Sequence, residues 1–178
     1  MYLLFLFVVF FVSCSSQRQQ MNQIKRSLKK SPYFFLNQSY FDDSRKLLFK
    51  EIENFALGSD TIIIYEIFVD VKGSYGGTVY ASGKGIKRYL SRCEFNKFTL
   101  IAHYLEELKV PDSIIKKMQL IKTDAQSFLN EETKIKTTPS AIFIITIATK
   151  EKGKYIFQYF SAHNGLTANQ AVKSKNED

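Results

Sequence analysis

The stretch Thr61-Ile62-Ile63-Ile64-Tyr65-Glu66-Ile67-Phe68-Val69-Asp70 decides how this chain folds. β-Branched and aromatic residues dominate it, and neither Gly nor Pro interrupts, which is the composition of a strand inside a packed sheet. Side chains alternate between the faces of a strand. One face therefore carries Ile63, Tyr65, Ile67, Val69 and Val71, and the other carries Ile62, Ile64, Glu66, Phe68 and Asp70. Both rows are apolar, so the strand is expected to be covered on both sides for at least part of its length. Glu66 is the exception within its row. Under a helix it must pair with a cation or be driven toward its neutral form, and Arg88 and Arg92 on a later strand are its candidate partners. The alternatives are a sheet face open to water at mid-strand, or a functional acid.

Before this strand, Asp42, Asp43 and Ser44 offer caps and favourable dipole charge for a helix from Ser44 to Leu57, with Leu48, Ile52, Phe55 and Ala56 on one face. Gly58 is its stop. After the strand, Gly73 to Gly77 reads as a turn, Thr78 to Ala81 as a short strand, and Ser82 to Gly85 as a second turn. Ile86 to Cys93 is a third strand with basic residues interleaved. Such short connections make a three-stranded antiparallel meander. Asn96 then reads as the cap of a helix over Lys97–Lys109, bearing Ile101, Tyr104, Leu105 and Leu108 on one side. Pro111-Asp112-Ser113 starts another helix with Ile114, Ile115, Met118 and Ile121, and a further helical turn covers Ala125–Asn130. Ser140 to Thr149 and Tyr155 to Ala162 form a hairpin about Glu151–Lys154. The blocks predict an α+β domain with an antiparallel sheet of about five strands, the meander plus the C-terminal hairpin, and helices packed on one face. Their order leaves the relative placement of the two hairpin units open.

Composition fits one folded domain. The chain is 45% apolar with 16 Phe and 10 Tyr, enough to bury a core and against global disorder. A formal charge of +8, spread along the chain, biases it toward anionic surfaces and partners without choosing one.

The N-terminus speaks to location. Tyr2 to Val12 is a continuous apolar run, too short to cross a bilayer as a helix and of the length found in a signal peptide. It ends in Phe11-Val12-Ser13-Cys14-Ser15-Ser16, with small residues about a cysteine. This resembles a bacterial lipoprotein signal with a relaxed lipobox, in which a small residue precedes a cysteine that is lipidated and becomes the mature N-terminus. The resemblance covers the first 14 residues, and no Lys or Arg precedes the apolar run. It implies a signal peptide over 1–13, acylation at Cys14 and lipid anchoring to a membrane of the bacterial envelope. The alternative is a secreted protein with an ordinary cleaved signal. Residues 14–31, rich in Ser, Gln and Lys, read as a flexible basic tether. The domain is expected over 32–165, with the apolar cluster Tyr33–Leu36 packing on it, and 166–178 is a polar tail. Asn37-Gln38-Ser39 matches a glycosylation triplet, idle in a bacterium.

Catalytic signals are thin. The only cysteines are Cys14 and Cys93, so acylation of the first leaves no disulfide framework. The histidines are His103 and His163, without HExxH, CxxC or paired-His spacing, so neither a metal nor another cofactor is implied. His103 with Cys93 forms a conceivable nucleophilic pair lacking an identified orienting group or oxyanion site. The glycines between Gly73 and Gly85 fail the phosphate-loop template, since Gly85 follows Lys84 where Ser or Thr belongs. Tyr75, Tyr80 and Tyr89 mix with Lys84, Lys87, Arg88 and Arg92, a composition able to stack single-stranded nucleic acid. Export makes that ligand unexpected, and an anionic lipid, a glycan or a protein partner fits better. The favoured reading is a membrane-anchored exported lipoprotein with a small binding or envelope-interaction domain. A small secreted enzyme using His103 with Cys93 or Glu66, and an inhibitor or immunity-type module, are the alternatives.

Overall fold

A computed structural model of the protein describes Asn22 and residues 39–69, 74–96, 99–134 and 141–164. The signal peptide, Cys14, most of the tether, the Tyr33–Leu36 cluster and the C-terminal tail lie outside the described residues. The elements run α1 (Ser39–Ala56), β1 (Thr61–Val69), β2 (Ser74–Ala81), β3 (Gly85–Asn96), β4 (Thr99–Leu108), α2 (Asp112–Lys134), β5 (Ala141–Glu151) and β6 (Lys154–Asn164). The strands form one sheet in the order β4-β3-β2-β1-β5-β6, every pair antiparallel. This is an α+β fold with β1, Thr61–Val69, at its centre. The C-terminal hairpin joins the meander by pairing β5 with β1, from Thr61 opposite Thr149 to Val69 opposite Ala141.

Both rows of β1 are buried, and each needs its own cover. Ile62, Ile64 and Phe68 pack with Leu48, Ile52 and Ala56 of α1, joined by Val79, Tyr89 and Ile144. Ile63 and Tyr65 pack with Met118, Ile121, Phe128 and Leu129 of α2, joined by Phe143 and Ile145. The helices are thus divided between the two faces, where the sequence reading put them on one. A strand apolar on both sides cannot be satisfied from a single side.

The strand count rises to six because the segment read as a helix over Lys97–Lys109 is β4. Its Tyr104, Leu105 and Leu108 have helical spacing, but on the strand they are divided between its two faces. Leu105 faces α1 and the core, while Tyr104 is exposed on the opposite face. Asn96, read as a helix cap, instead closes the hairpin opposite Thr99. α1 starts earlier than the acidic pair suggested, so Ser44 is a buried residue within the helix rather than its cap.

Further along, α2 breaks where its two sequence segments meet. Asp124 has extended backbone angles (φ −153°, ψ 90°). Its carboxylate accepts from the Ser127 backbone N–H at 2.9 Å and from the Ser127 hydroxyl at 2.7 Å, capping the second half. These bonds hold the Asp124 carboxyl below its ordinary value. Lys117 reaches Glu132 at 2.7 Å. An unbroken helix would separate residues so spaced by about 22 Å, so the two halves fold back on each other.

Glycine marks two different needs. Gly83, Gly85 and Gly153 have positive φ at the hairpin turns, and Lys152 joins Gly153 there (φ 48° and 80°), the pattern of a two-residue turn with left-handed backbone. Gly76 and Gly77, by contrast, lie inside β2 rather than in the turn expected of them. At Gly77 a methyl group would sit 2.9 Å from Leu48 Cδ2, so its absence lets α1 approach the sheet.

Candidate functional site

The polar groups of the fold collect beneath α1, on the face of the sheet that holds Glu66. Cross-strand partners share a face, and one row runs Glu107, Tyr89, Gly77, Glu66, Ile144 and Ser161 from β4 to β6. Glu66 is 1% exposed. Its partner is Arg45 of α1, 2% exposed, whose Nε donates to Oε1 at 2.6 Å and whose second nitrogen donates to Oε2 at 2.5 Å. Tyr75 donates its hydroxyl to the same Oε1 at 2.8 Å. A buried carboxylate held by a two-pronged guanidinium and a phenol has its oxygens engaged, which is what allows the charge to sit inside the protein. Burial, followed by the charge of Glu66, pushes the Tyr75 phenol well above its ordinary range. Tyr159 of β6 lies near the same guanidinium. Burial raises its phenol to about 12, with Arg45 opposing.

Arg88 and Arg92 do not reach Glu66. They lie in the opposite row of β3, with Arg88 opposite Leu108 and Arg92 opposite Tyr104, so the sheet itself separates them from the carboxylate. Arg92 instead binds Glu106 at 2.7 Å on the surface. Sequence reasoning missed Arg45, although a signal was present. Arg45 falls in the Leu48, Ile52 and Ala56 stripe of α1, and a cation within an apolar stripe needs a buried anion.

A second polar group lies beside this pair. The Ser44 and Ser91 hydroxyls are 3.0 Å apart, and His103 Nε2 lies 3.1 Å from the first and 2.8 Å from the second. The triangle ties α1 to β3 and β4. Ser44 is fully buried and Ser91 nearly so, so substrate has no open approach to either hydroxyl. Lys46 holds the neighbouring Asp43 carboxyl below its usual value, with His103 a smaller cause. The register sets Cys93 opposite His103, which is therefore on a strand and not on a helix. His163 lies on β6 opposite Ile142, one residue before the end of the strand.

The tyrosines and cations of the meander are similarly sorted. Tyr75 and Tyr89 are buried under α1, and Tyr80 lies beneath Lys122 of α2, 5.6 Å from its ring centre. The exposed aromatic of this region is Tyr104, on the face of β3 and β4 that also carries Arg88, Leu90, Arg92 and Leu108. None of these five belongs to either apolar cluster. Among the described residues, no three His, Cys, Asp or Glu side chains gather to hold a metal, and no helix is long and apolar enough to cross a membrane. The fold and its polar interior define an α+β protein with a six-stranded antiparallel sheet between helices. Comparison with family models, curated proteins and solved structures finds no match.

Proposed function

We propose that the chain is an exported bacterial lipoprotein, held to a membrane through an acylated Cys14, and that its α+β domain is a binding module for an anionic partner at the envelope. The observation that carries the binding reading is the outer face of β3 and β4, where among the described residues Arg92 and Tyr104 are exposed and Arg88, Leu90 and Leu108 half-buried. There Arg88, the Arg92–Glu106 ion pair, Leu90, Tyr104 and Leu108 form a mixed charged and apolar surface while the polar interior is engaged with itself. Cations beside an aromatic ring and aliphatic side chains match a partner that offers negative charge with some apolar area, such as a lipid headgroup, an acidic glycan or an acidic protein surface. The anchor rests on the apolar run ending at Cys14 and on the basic tether.

Two measurements test it. Expressed in a bacterium, the chain is expected to take up labelled fatty acid and sediment with membranes, and Cys14→Ala to abolish the label. An unlabelled wild-type chain refutes the anchor. Arg88→Glu with Arg92→Glu is expected to remove binding to phosphatidylglycerol vesicles or an acidic polysaccharide while the melting curve is kept. Unchanged binding refutes the face.

A second reading, an enzyme using His103 with Cys93, draws on the register that sets these residues opposite each other. Glu66 adds nothing to it, because Arg45 and Tyr75 hold both its oxygens. Hydrolysis of a generic ester or thioester substrate that is lost in Cys93→Ser would favour this reading over the binding module.

A further inference from the structure

The two sides of the sheet differ in what they show to solvent. Among the described residues the exposed large apolar side chains are Tyr104, Ile115, Leu120 and Ile156, and all of them lie on the α2 side. Ile115 and Leu120 belong to α2 itself, and Leu120 is 57% exposed. Tyr104 stands opposite Arg92, on the face shared with Arg88, whose row leads through Thr78 to Tyr65 beneath α2. Ile156 stands opposite Thr149 in the row of Thr61, which is the face of Ile63. Cations accompany them. Arg88 is on β3, Lys109 is in the connection from β4 to α2, and Lys116 and Lys122 are on the first half of α2. Among the described residues none of these four is in an ion pair. The acids set against them are Asp112 at the start of α2 and Asp124 at its break, since Glu131 and Glu132 are held by Lys134 and Lys117. On the other side, α1 shows no exposed large apolar side chain among its described residues. Its four acidic residues outnumber its three basic ones, of which Arg45 is spent on Glu66.

We infer that the α2 side of the domain lies against a bilayer of anionic lipid, with Ile115 and Leu120 entering the headgroup layer and Lys116, Lys122 and Arg88 meeting its phosphates. The layout of the side selects this partner. A protein or glycan that fills a groove calls for apolar side chains gathered at one spot. Here they are spread across the breadth of the sheet, from β4 at one edge to β6 at the other, with the cations between them. That spread suits an extended plane. Protruding aliphatic side chains beside Lys and Arg are what hold a helix in a membrane interface, and each cation near an anionic leaflet adds to the attraction. The inference rests on the reading that Cys14 is acylated, and deepens the binding reading by naming lipid as the anionic partner. Between Cys14 and Ser39 the chain spans at most about 90 Å. An acyl anchor therefore keeps the domain beside the bilayer, and the high local concentration lets a face of low intrinsic affinity stay docked.

The test uses fluorescence, because the chain has no Trp. Leu120→Trp places a single reporter on the α2 side, and Asn54→Trp places one on the exposed surface of α1. Each protein, expressed and processed in a bacterium, is reconstituted into vesicles of phosphatidylcholine, alone or mixed with phosphatidylglycerol, whose brominated acyl chains act as quenchers. In the mixed vesicles the emission of Leu120→Trp is expected to shift to the blue and be quenched, and that of Asn54→Trp to do neither. Adding Lys116→Gln and Lys122→Gln is expected to lower the ratio of docked to free domain about tenfold or more, and raised salt to lower it further. Tyr104→Trp is the second reporter should Leu120→Trp fail to fold. Sedimentation with the neutral vesicles reads the anchor separately. A chain that stays in solution there refutes acylation, and quenching in the mixed vesicles still decides the docking face. Sedimentation without quenching of Leu120→Trp, equal quenching of the two reporters, equal quenching in the two kinds of vesicle, or quenching indifferent to the loss of Lys116 and Lys122 overturns the inference. An unquenched chain that binds an acidic polysaccharide or protein overturns it too, and leaves the β3–β4 face with a partner other than lipid.

Discussion

Replacing Arg45 by methionine is the most informative perturbation of this fold. The side chain is 2% exposed and meets Glu66, 1% exposed, through two hydrogen bonds. Methionine fills much of the volume but leaves a carboxylate inside the protein without its counter-charge. Breaking a buried pair in this way costs roughly 3–5 kcal/mol, a large part of the ~5–15 kcal/mol that holds a typical domain together. Glu66→Gln strands the guanidinium instead and is expected to cost a similar amount. The double replacement Arg45→Met with Glu66→Leu removes both charges, and such exchanges are neutral to stabilising by roughly 1–4 kcal/mol. Here part of that gain is offset, because the Tyr75 hydroxyl loses the acceptor at Oε1. A buried hydroxyl deprived of a bond costs about 1–3 kcal/mol. Adding Tyr75→Phe is expected to recover this amount. The assay is urea unfolding at neutral pH followed by far-ultraviolet circular dichroism, with equal denaturant slopes required before midpoints are compared. The expected result is strong coupling: each single change severe, the double close to wild type, the triple at or above the double. Single changes costing under about 1 kcal/mol, the range of exposed pairs, would refute the buried pair. So would a double equal to the sum of the singles, the mark of sites that do not interact.

Three further outcomes are expected. Gly77→Ala should destabilise by about 1–3 kcal/mol, the usual cost of overpacking, because its methyl group meets Leu48 at 2.9 Å; pairing it with Leu48→Ala should make the two effects non-additive in chemical denaturation. Asp124→Ala should lower the melting midpoint by about 2–4 °C through loss of the cap. Since the Asp124 carboxyl is held below its unfolded value, its contribution is full above about pH 4 and is lost as pH falls through the lowered folded value, so the difference between wild type and variant should vanish in acid melts. At the alkaline end, burial holds the phenols of Tyr65, Tyr75, Tyr89 and Tyr155 above the ordinary 10.0 and that of Tyr159 at about 12. Their protonated forms favour the folded state below pH 10, and that preference is lost as pH rises through the folded values. Tyrosinate absorbance should therefore appear together with unfolding, and an early titration of all ten tyrosines without unfolding would contradict the burial.

The central strand was legible because nothing in it competes: β-branched residues on both faces permit one reading. The hairpin turns were legible from Gly83, Gly85 and Gly153, whose positive φ few other residues adopt. The break in α2 was legible as two helical segments, with Asp124 between them. β4 was not, since Tyr104, Leu105 and Leu108 have helical spacing without strict alternation, and pairing with the neighbouring β3 decides the structure. The partner of Glu66 was hidden by parity. Arg88 and Arg92 are on a strand of the same sheet, but their register sends them through to the other side. Arg45 is as near in sequence as Arg88, and it was overlooked because a cation near the start of a helix is easily taken for solvated surface.

Gly77 and Glu66 stand opposite each other in the ladder, and this pairing explains why α1 is fixed where it is. An ion pair alone tolerates sliding of a long side chain, and an apolar contact alone tolerates rotation of a helix. Here the missing side chain at Gly77 admits Leu48 at one point of the row. Arg45, three residues earlier on the same stripe, then has its guanidinium brought over Glu66, the next position along that row. The close approach sets the distance of the helix, and the two-pronged pair sets its rotation. Ser44 is carried along to meet Ser91 and His103, so the Ser–Ser–His triangle is a consequence of that seating. If this account holds, His103→Ala weakens the attachment of β4 to α1 and leaves the Arg45–Glu66 coupling energy intact, whereas Gly77→Ala reduces that coupling. Equal effects of both changes on the coupling would mean that the triangle, and not the glycine, positions the helix.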